Sequence, residues 1–299
     1  MSSQTTPQIT PAPADFDQYW STTMDELAQL PAAPELPEIP LRNTDFGAVY
    51  GLRLTSLGAY RIFAYYCVPH GDGPFPVLFH APGYGSVVHV PPYEERQQYI
   101  VISLCHRGQR LSDQPFAAAY PGLLTTGIED AQTYIYRGIM ADCCRVVDFL
   151  LSRDEVDASR IAVTGNDLAL FTAALRPQVS ALYYTPGFFY AAQASAPRTS
   201  AYPSEEINEY VRTYPAAAAQ VWRTLSYYEP THMAPRVQAQ TLLVTGDDPA
   251  VTAPMQQALP GLVETYTTAH SAYRDGVQQA RWLARWSGIG EPVLPEHWR

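Results

Sequence analysis

The stretch Arg160-Ile161-Ala162-Val163-Thr164-Gly165-Asn166-Asp167-Leu168-Ala169-Leu170 constrains this chain more than any other. A short β-branched and apolar run stops at Gly165, and Leu168 to Leu175 then reads as the start of a helix. Strand, tight turn and helix in that order hold one side chain at the tip of a strained turn above a sheet. The residue at the tip is Asp167, a carboxylate.

The flanking patterns extend this unit into a whole sheet. Phe16, Tyr19, Trp20, Met24 and Leu27 recur at three- and four-residue steps, which predicts a helix from Asp15 to about Leu30 with one apolar face. Val49 to Thr55 and Tyr60 to Val68 alternate around a turn at Ser56 to Gly58 and read as a hairpin. Pro76 to Ala81 and Tyr99 to Leu104 are continuous apolar runs, as strands buried on both faces require. A long helix is expected from near Glu129, with Ile139, Met140, Cys143, Val146, Val147, Leu150 and Leu151 on its buried side. Further strands are expected at Ile161–Thr164, Val179–Tyr184, Thr241–Thr245 and Leu262–Thr267, and a closing helix at Ala272–Trp286. The alternation predicts an α/β fold with a mainly parallel, doubly wound sheet. An N-terminal helix precedes it, and a helical excursion over Phe188 to Leu225 interrupts it before the last two strands. With 299 residues and neither repeat nor linker, the expectation is a flexible tail over 1–14 and a single domain over 15–299.

Composition narrows the partners. Hydrophobic residues at 46% and charged residues at 16% describe a globular chain. A formal net charge of −10 argues against nucleic acid and against an anionic membrane, both of which need clustered basic residues. The sequence has no run of about 18 apolar residues that could cross a bilayer. Met1 to Ala14 lacks the basic-then-apolar order of a secretory signal, so a cytoplasmic location is expected. Cys67, Cys105, Cys143 and Cys144 have neither disulfide-framework nor metal-ligand spacing and read as buried thiols. His80, His89 and His106 likewise lack ligand spacing, so neither metal nor cofactor is expected. Tyr93, Tyr120, Tyr183, Tyr184 and Tyr190 fall in loops or at strand ends, where they suit a small planar or sugar-like ligand as well as ordinary packing.

Polar candidates fall at strand ends in the order Asp167, Asp247/Asp248, His270. Nucleophile, acid, histidine is the chain order of the α/β-hydrolases, and the loop Pro82-Gly83-Tyr84-Gly85-Ser86 follows an earlier strand, where the oxyanion loop of that fold belongs. Nearly the whole chain resembles the acetylxylan esterase/cephalosporin-C deacetylase family. Asp15-Phe16-Asp17-Gln18-Tyr19-Trp20 resembles its D-F-x-x-F/Y-W, and Pro82-Gly83-Tyr84 its H-G-Y with Pro for His. Arg107-Gly108-Gln109 is its R-G-Q, Tyr134 to Gly138 resembles its Y-x-Y-R-G, and Leu225 to Tyr228 its L-S-Y-F/Y. The resemblance implies an α/β-hydrolase fold, deacetylation of small esters without a cofactor, and a homo-oligomer, either hexamer or dimer. Carried over by position, Asp167 stands at the serine of G-G-S-Q-G-G and Leu168 at the glutamine beside it. Pro249 stands at the acid of G-x-x-D-x-I/V-x-P-P with Asp248 one residue early, His270 at the histidine of G-H-E, and Tyr84 at the oxyanion tyrosine.

A carboxylate cannot replace serine in acyl transfer, because its attack on an ester would give a mixed anhydride. The leading expectation is a degenerate triad without serine-esterase activity. In that case Asp167 pairs with His270 in a disused pocket, holding the imidazole protonated and useless as a base, or caps the following helix. Alternatively, Asp167 is a nucleophile at saturated carbon, as in haloalkane and fluoroacetate dehalogenases and epoxide hydrolases. His270 is then the base and Asp248 its orienting partner, while Tyr84 and the Leu168 N–H stabilise developing charge. The third reading is a deacetylase by another arrangement, using Ser86 or a water held by His270 and Asp167. Arg107 and Gln109 are assigned to the pocket wall, Arg107 through a buried ion pair that braces the loops.

Overall fold

The computed structural model describes residues 6–85, 87–112 and 118–298. A single eight-stranded sheet runs in the order β1-β2-β4-β3-β5-β6-β7-β8. β1 (Gly47–Ser56) and β2 (Tyr60–Pro69) form the expected hairpin, and β2 lies antiparallel to β4 (Ile100–Cys105). From β4 onward every pairing is parallel, through β3 (Phe75–His80), β5 (Val156–Gly165), β6 (Ala181–Tyr184), β7 (Gln240–Thr245) and β8 (Val263–Thr267). β3 shows why its run is apolar throughout: Val77 and Phe79 join the larger core on one face, and Leu78 joins a second core on the other. The larger face is covered by α1 (Phe16–Ala28), α2 (Ile135–Leu150) and α3 (Asp167–Leu175). The excursion, α4 (Ala192–Ser195), α5 (Ser204–Thr213), α6 (Ala218–Ser226) and α7 (Pro230–Met233), lies between β6 and β7. α8 (Ala253–Ala258) follows β7, and α9 (Ala272–Ser287) covers the opposite face with Trp282 and Leu283.

Three boundaries differ most from expectation, each for a local reason. α2 begins at Ile135, not near Glu129, because the preceding segment spends its amides on turns: Thr133 and Tyr134 N–H both donate to the Asp130 carbonyl (3.1 and 2.9 Å). β5 begins at Val156, ahead of Ile161, since Val156 already pairs with Phe75. The tail expected over 1–14 is tied down from Ile9, which packs on the core, while the Thr10 carbonyl meets His232 Nε2 at 2.7 Å. Among the described residues no helix is long and apolar enough to cross a membrane.

Motifs far apart in sequence meet in one aromatic cluster on the larger face. Trp20 Nε1 donates to the Tyr227 carbonyl (3.0 Å), and the Tyr19 and Tyr228 hydroxyls share a hydrogen bond of 2.6 Å. Trp20, Tyr134 and Phe189 all set rings 5.0–5.5 Å from that of Tyr228. Beside it, Arg107 makes a bidentate pair with buried Asp142 on α2 (Nη2–Oδ1 2.7 Å, Nε–Oδ2 3.0 Å) and stacks over Tyr60. Gly138, one helical turn before Asp142, leaves the gap through which the guanidinium passes, and a Cβ there would overlap it. Alanine normally stabilises a helix interior relative to glycine by about 0.5–1 kcal/mol. At this position the clash should dominate, so Gly138→Ala should lose about 1–3 kcal/mol. The urea midpoint checks this, and a midpoint that rose would show that the ion pair does not fill the gap.

Candidate active site

β5 delivers the elbow at its carboxyl end. Asn166 caps α3, its side-chain oxygen accepting from the Leu168 N–H (3.2 Å), and Asp167 is the first helical residue. The Asp167 side chain does not project outward; it is only 1% exposed. Its Oδ1 accepts from the Tyr184 hydroxyl and the Gly187 N–H, and its Oδ2 from the Phe189 N–H, each at 2.9 Å. Gly187 permits this approach, since a Cβ there would stand 2.7 Å from Oδ2. Burial pushes the carboxyl up to about 6, against the lowering pull of those same hydrogen bonds. The donors belong to the end of β6 and the loop beyond it, so the carboxylate ties the elbow to the start of the excursion.

A second buried carboxylate grips the same loop. Glu229 Oε2 accepts from the Ala191 N–H (2.8 Å), and its Oε1 from the N–H and hydroxyl of Thr231 (3.2 and 2.7 Å). Burial, with a smaller contribution from the Asp167 charge, raises Glu229 to about 7. Neither residue was legible as a partner of Asp167 in the sequence. Tyr184 was visible only as a strand-end tyrosine, and Glu229 only as an acid before Pro230.

The expected triad does not assemble around Asp167. The bond of His270 is to Asp247, Nε2 to Oδ1 at 2.8 Å, in an exposed pair (side chains 64% and 82% accessible). The expectation of an Asp167–His270 ion pair is therefore corrected: both Asp167 oxygens are taken from the β6 side. Asp248 as partner of His270 is corrected as well. It caps the turn after β7 by accepting from the Ala250 N–H (3.0 Å), which leaves Asp247 to reach the imidazole. The His270 backbone is left-handed at φ 52°. Its loop is shaped by Asp275, which accepts from Tyr266 (2.6 Å), Thr268 (3.0 Å) and the amides of Ala269 and Ser271 (2.8 and 3.1 Å). The Tyr266 bond leads in pulling Asp275 down to about 2. The signal for it was a serine ahead of α9 followed four residues later by an acid in the first turn.

The remaining candidates are committed elsewhere. The Tyr84 hydroxyl donates to buried Glu206 on α5, which also accepts from the Leu124 N–H (3.0 Å). The Leu168 N–H is spent on Asn166. Gln109 Nε2 donates to the carbonyls of Gly83 and Gly85 (2.9 and 2.6 Å), holding the Tyr84 loop, and Arg107 holds Asp142. Ser86 lies outside the described residues. His80 sits between Thr164 Oγ1 (2.8 Å) and Glu95 Oε2 (2.6 Å), and burial depresses His106 to about 4.

A mostly parallel eight-stranded sheet with an elbow after β5, an acid after β7 and a histidine after β8 defines an α/β-hydrolase. Within that class the chain belongs to the acetyl xylan esterase (AXE1) family, whose sequence profile matches residues 4–261. It is 24% identical to acetyl esterase Axe7A of Xylanibacter ruminicola, across 91% of this chain and 67% of that protein. Among solved structures it is similar to an acetyl xylan esterase from Paenibacillus sp. R4, with a TM-score of 0.78, 26% identity, and 94% and 96% of the two chains covered. Acetyl xylan esterase 1 from Thermoanaerobacterium sp. JW/SL YS485 shares the fold with a TM-score of 0.80, 22% identity and the same coverage.

Asp167→Ala strands three donors in a dry site and should cost about 3 kcal/mol or more, since each unpaired buried donor costs about 1–3 kcal/mol. His270→Ala removes only an exposed pair and should change stability by less than about 0.5 kcal/mol. Urea denaturation of both variants tests the contrast, and equal losses would contradict it.

The raised carboxyls also set a pH dependence. Asp167 and Glu229 bind protons more tightly when folded than when unfolded. Their contribution is thus present in full below about pH 4, the unfolded range, and is lost as pH rises towards about 7. Urea midpoints across this window should fall with pH, and less steeply in Asp167→Ala. An unchanged slope in that variant would refute buried ionisation at Asp167.

Proposed function

We propose that this member of the acetyl xylan esterase family has kept the fold and given up serine-type ester hydrolysis, its elbow serving as an internal tie rather than a nucleophile. The observation that carries this reading is the Asp167 carboxylate itself, buried at 1% exposure with both oxygens hydrogen-bonded to the β6 side. A nucleophile must offer a lone pair to substrate in a position where a base and an oxyanion site can act on the product. Here His270 pairs with Asp247 and makes no hydrogen bond to Asp167 among the described residues, the Leu168 amide is held by Asn166, and the Tyr84 hydroxyl by Glu206. Those commitments weigh equally against attack at saturated carbon, which needs a free carboxylate oxygen and a histidine beside it. The role left to the chain is one of binding or assembly on a hydrolase scaffold.

The test is turnover by the full chain against p-nitrophenyl acetate, a haloacetate and an epoxide, beside Asp167→Ala and Asp167→Ser. The parent should hydrolyse none of them above the buffer rate. Halide release or ring opening lost in Asp167→Ala would establish a working nucleophile. Ester hydrolysis untouched by Asp167→Ala would establish a different catalytic arrangement. Either result overturns the reading.

A further inference from the structure

A groove of about 510 Å³ opens beside the loops that follow β3 and β4, lined by residues that the elbow and its partners do not use. Arg42 comes from the turn before β1, Tyr65 from β2, Val87 and His89 from the loop after β3, and Arg110 and Leu111 from the loop after β4. Among the described residues no Asp or Glu lines it.

All 19 basic side chains are arginines, against 29 acids, and among the described residues ten of them have a carboxylate partner. The guanidinium groups of Arg42 and Arg110 have no hydrogen-bonding or acidic partner among the described residues, and both face this one groove. Arg96 adds positive charge behind them, its Nη1 donating to the Arg42 carbonyl (3.3 Å). Apart from His89, the rest of the wall is Tyr65, Val87, Val88, Val90 and Leu111. Leu111 holds a left-handed backbone (φ 77°) yet leaves its side chain 42% exposed at the groove. It is kept there by a turn in which Gly108 N–H donates to the Ser112 carbonyl (3.3 Å) and Ser112 N–H to that of Gln109 (2.9 Å). Val87 is likewise half exposed.

We infer that this groove binds a small organic anion, a carboxylate with an apolar aromatic or acyl body. The planar guanidinium fork matches a carboxylate in a bidentate way, and Tyr65 with the valines and Leu111 would cover the body. The volume suits a ligand of that size. Binding here is independent of whether Asp167 turns over an ester.

The probe is 8-anilinonaphthalene-1-sulfonate, an aromatic anion whose fluorescence rises on binding, titrated into the full chain beside its uncharged analogue N-phenyl-1-naphthylamine. The sulfonate should bind at one saturable site, weaken with added salt, and be displaced by phenylacetate but not by 2-phenylethanol. In Arg42→Ala/Arg110→Ala, with circular dichroism unchanged, its affinity should fall by roughly tenfold or more. The uncharged probe should change by less than about twofold, since it makes no charged hydrogen bond to lose. Absence of saturable binding, undiminished binding in the double variant, equal loss of both probes, or failure of phenylacetate to displace the sulfonate would each overturn the inference.

Discussion

The carboxylate of Asp167 is the point on which the centre of this molecule depends. A charge buried in a sheet protein is tolerated only if donors surround it, and here Tyr184, Gly187 and Phe189 supply them. The helix that begins at Asp167 adds its positive end, which favours an acid in the first turn. Those donors lie on the β6 side, so the charge is satisfied there and not by the histidine. One hydrogen-bonding requirement thereby fixes the loop after β6 and leaves His270 to Asp247.

The same logic recurs around the excursion. Glu229 holds Ala191, and Glu206 holds both Tyr84 and Leu124, so buried acids without a cation pin three loops through hydroxyl and amide donors. Burial raises the pKa of each. Such groups cost desolvation energy whenever they ionise, and the hydrogen bonds offset only part of it. An elbow built this way holds its surroundings through hydrogen bonds to both carboxylate oxygens.

The family motifs acquire a physical meaning once folded. The N-terminal D-F-D-Q-Y-W segment, Tyr134 and Leu225-Ser226-Tyr227-Tyr228 converge on the ring of Tyr228, while Arg107 of R-G-Q passes Gly138 to reach Asp142. These are packing and bracing contacts. They persist in a chain whose elbow carries a carboxylate because they stabilise the sheet and its loops, whatever sits at the tip.

Apolar periodicity and turn residues by themselves determined the sheet, its strand order class and the place of the elbow, because the inner strands β3, β4, β6 and β7 are buried on both faces and β1 of the hairpin alternates. Even the approximate position of the acid and the histidine was legible, since both follow recognisable strands. What only the tertiary structure decided was direction. Whether Asp167 faced His270 or Tyr184 depended on which donors came within hydrogen-bonding reach. The choice between Asp247 and Asp248 depended on which carboxylate the turn used as its cap. Those contacts join residues 17 to 23 positions apart, and two of them run through the backbone amides of Gly187 and Phe189, which carry no signature in sequence. A side chain's partner is set by where the chain returns in space, and the identity of the side chain alone does not encode that.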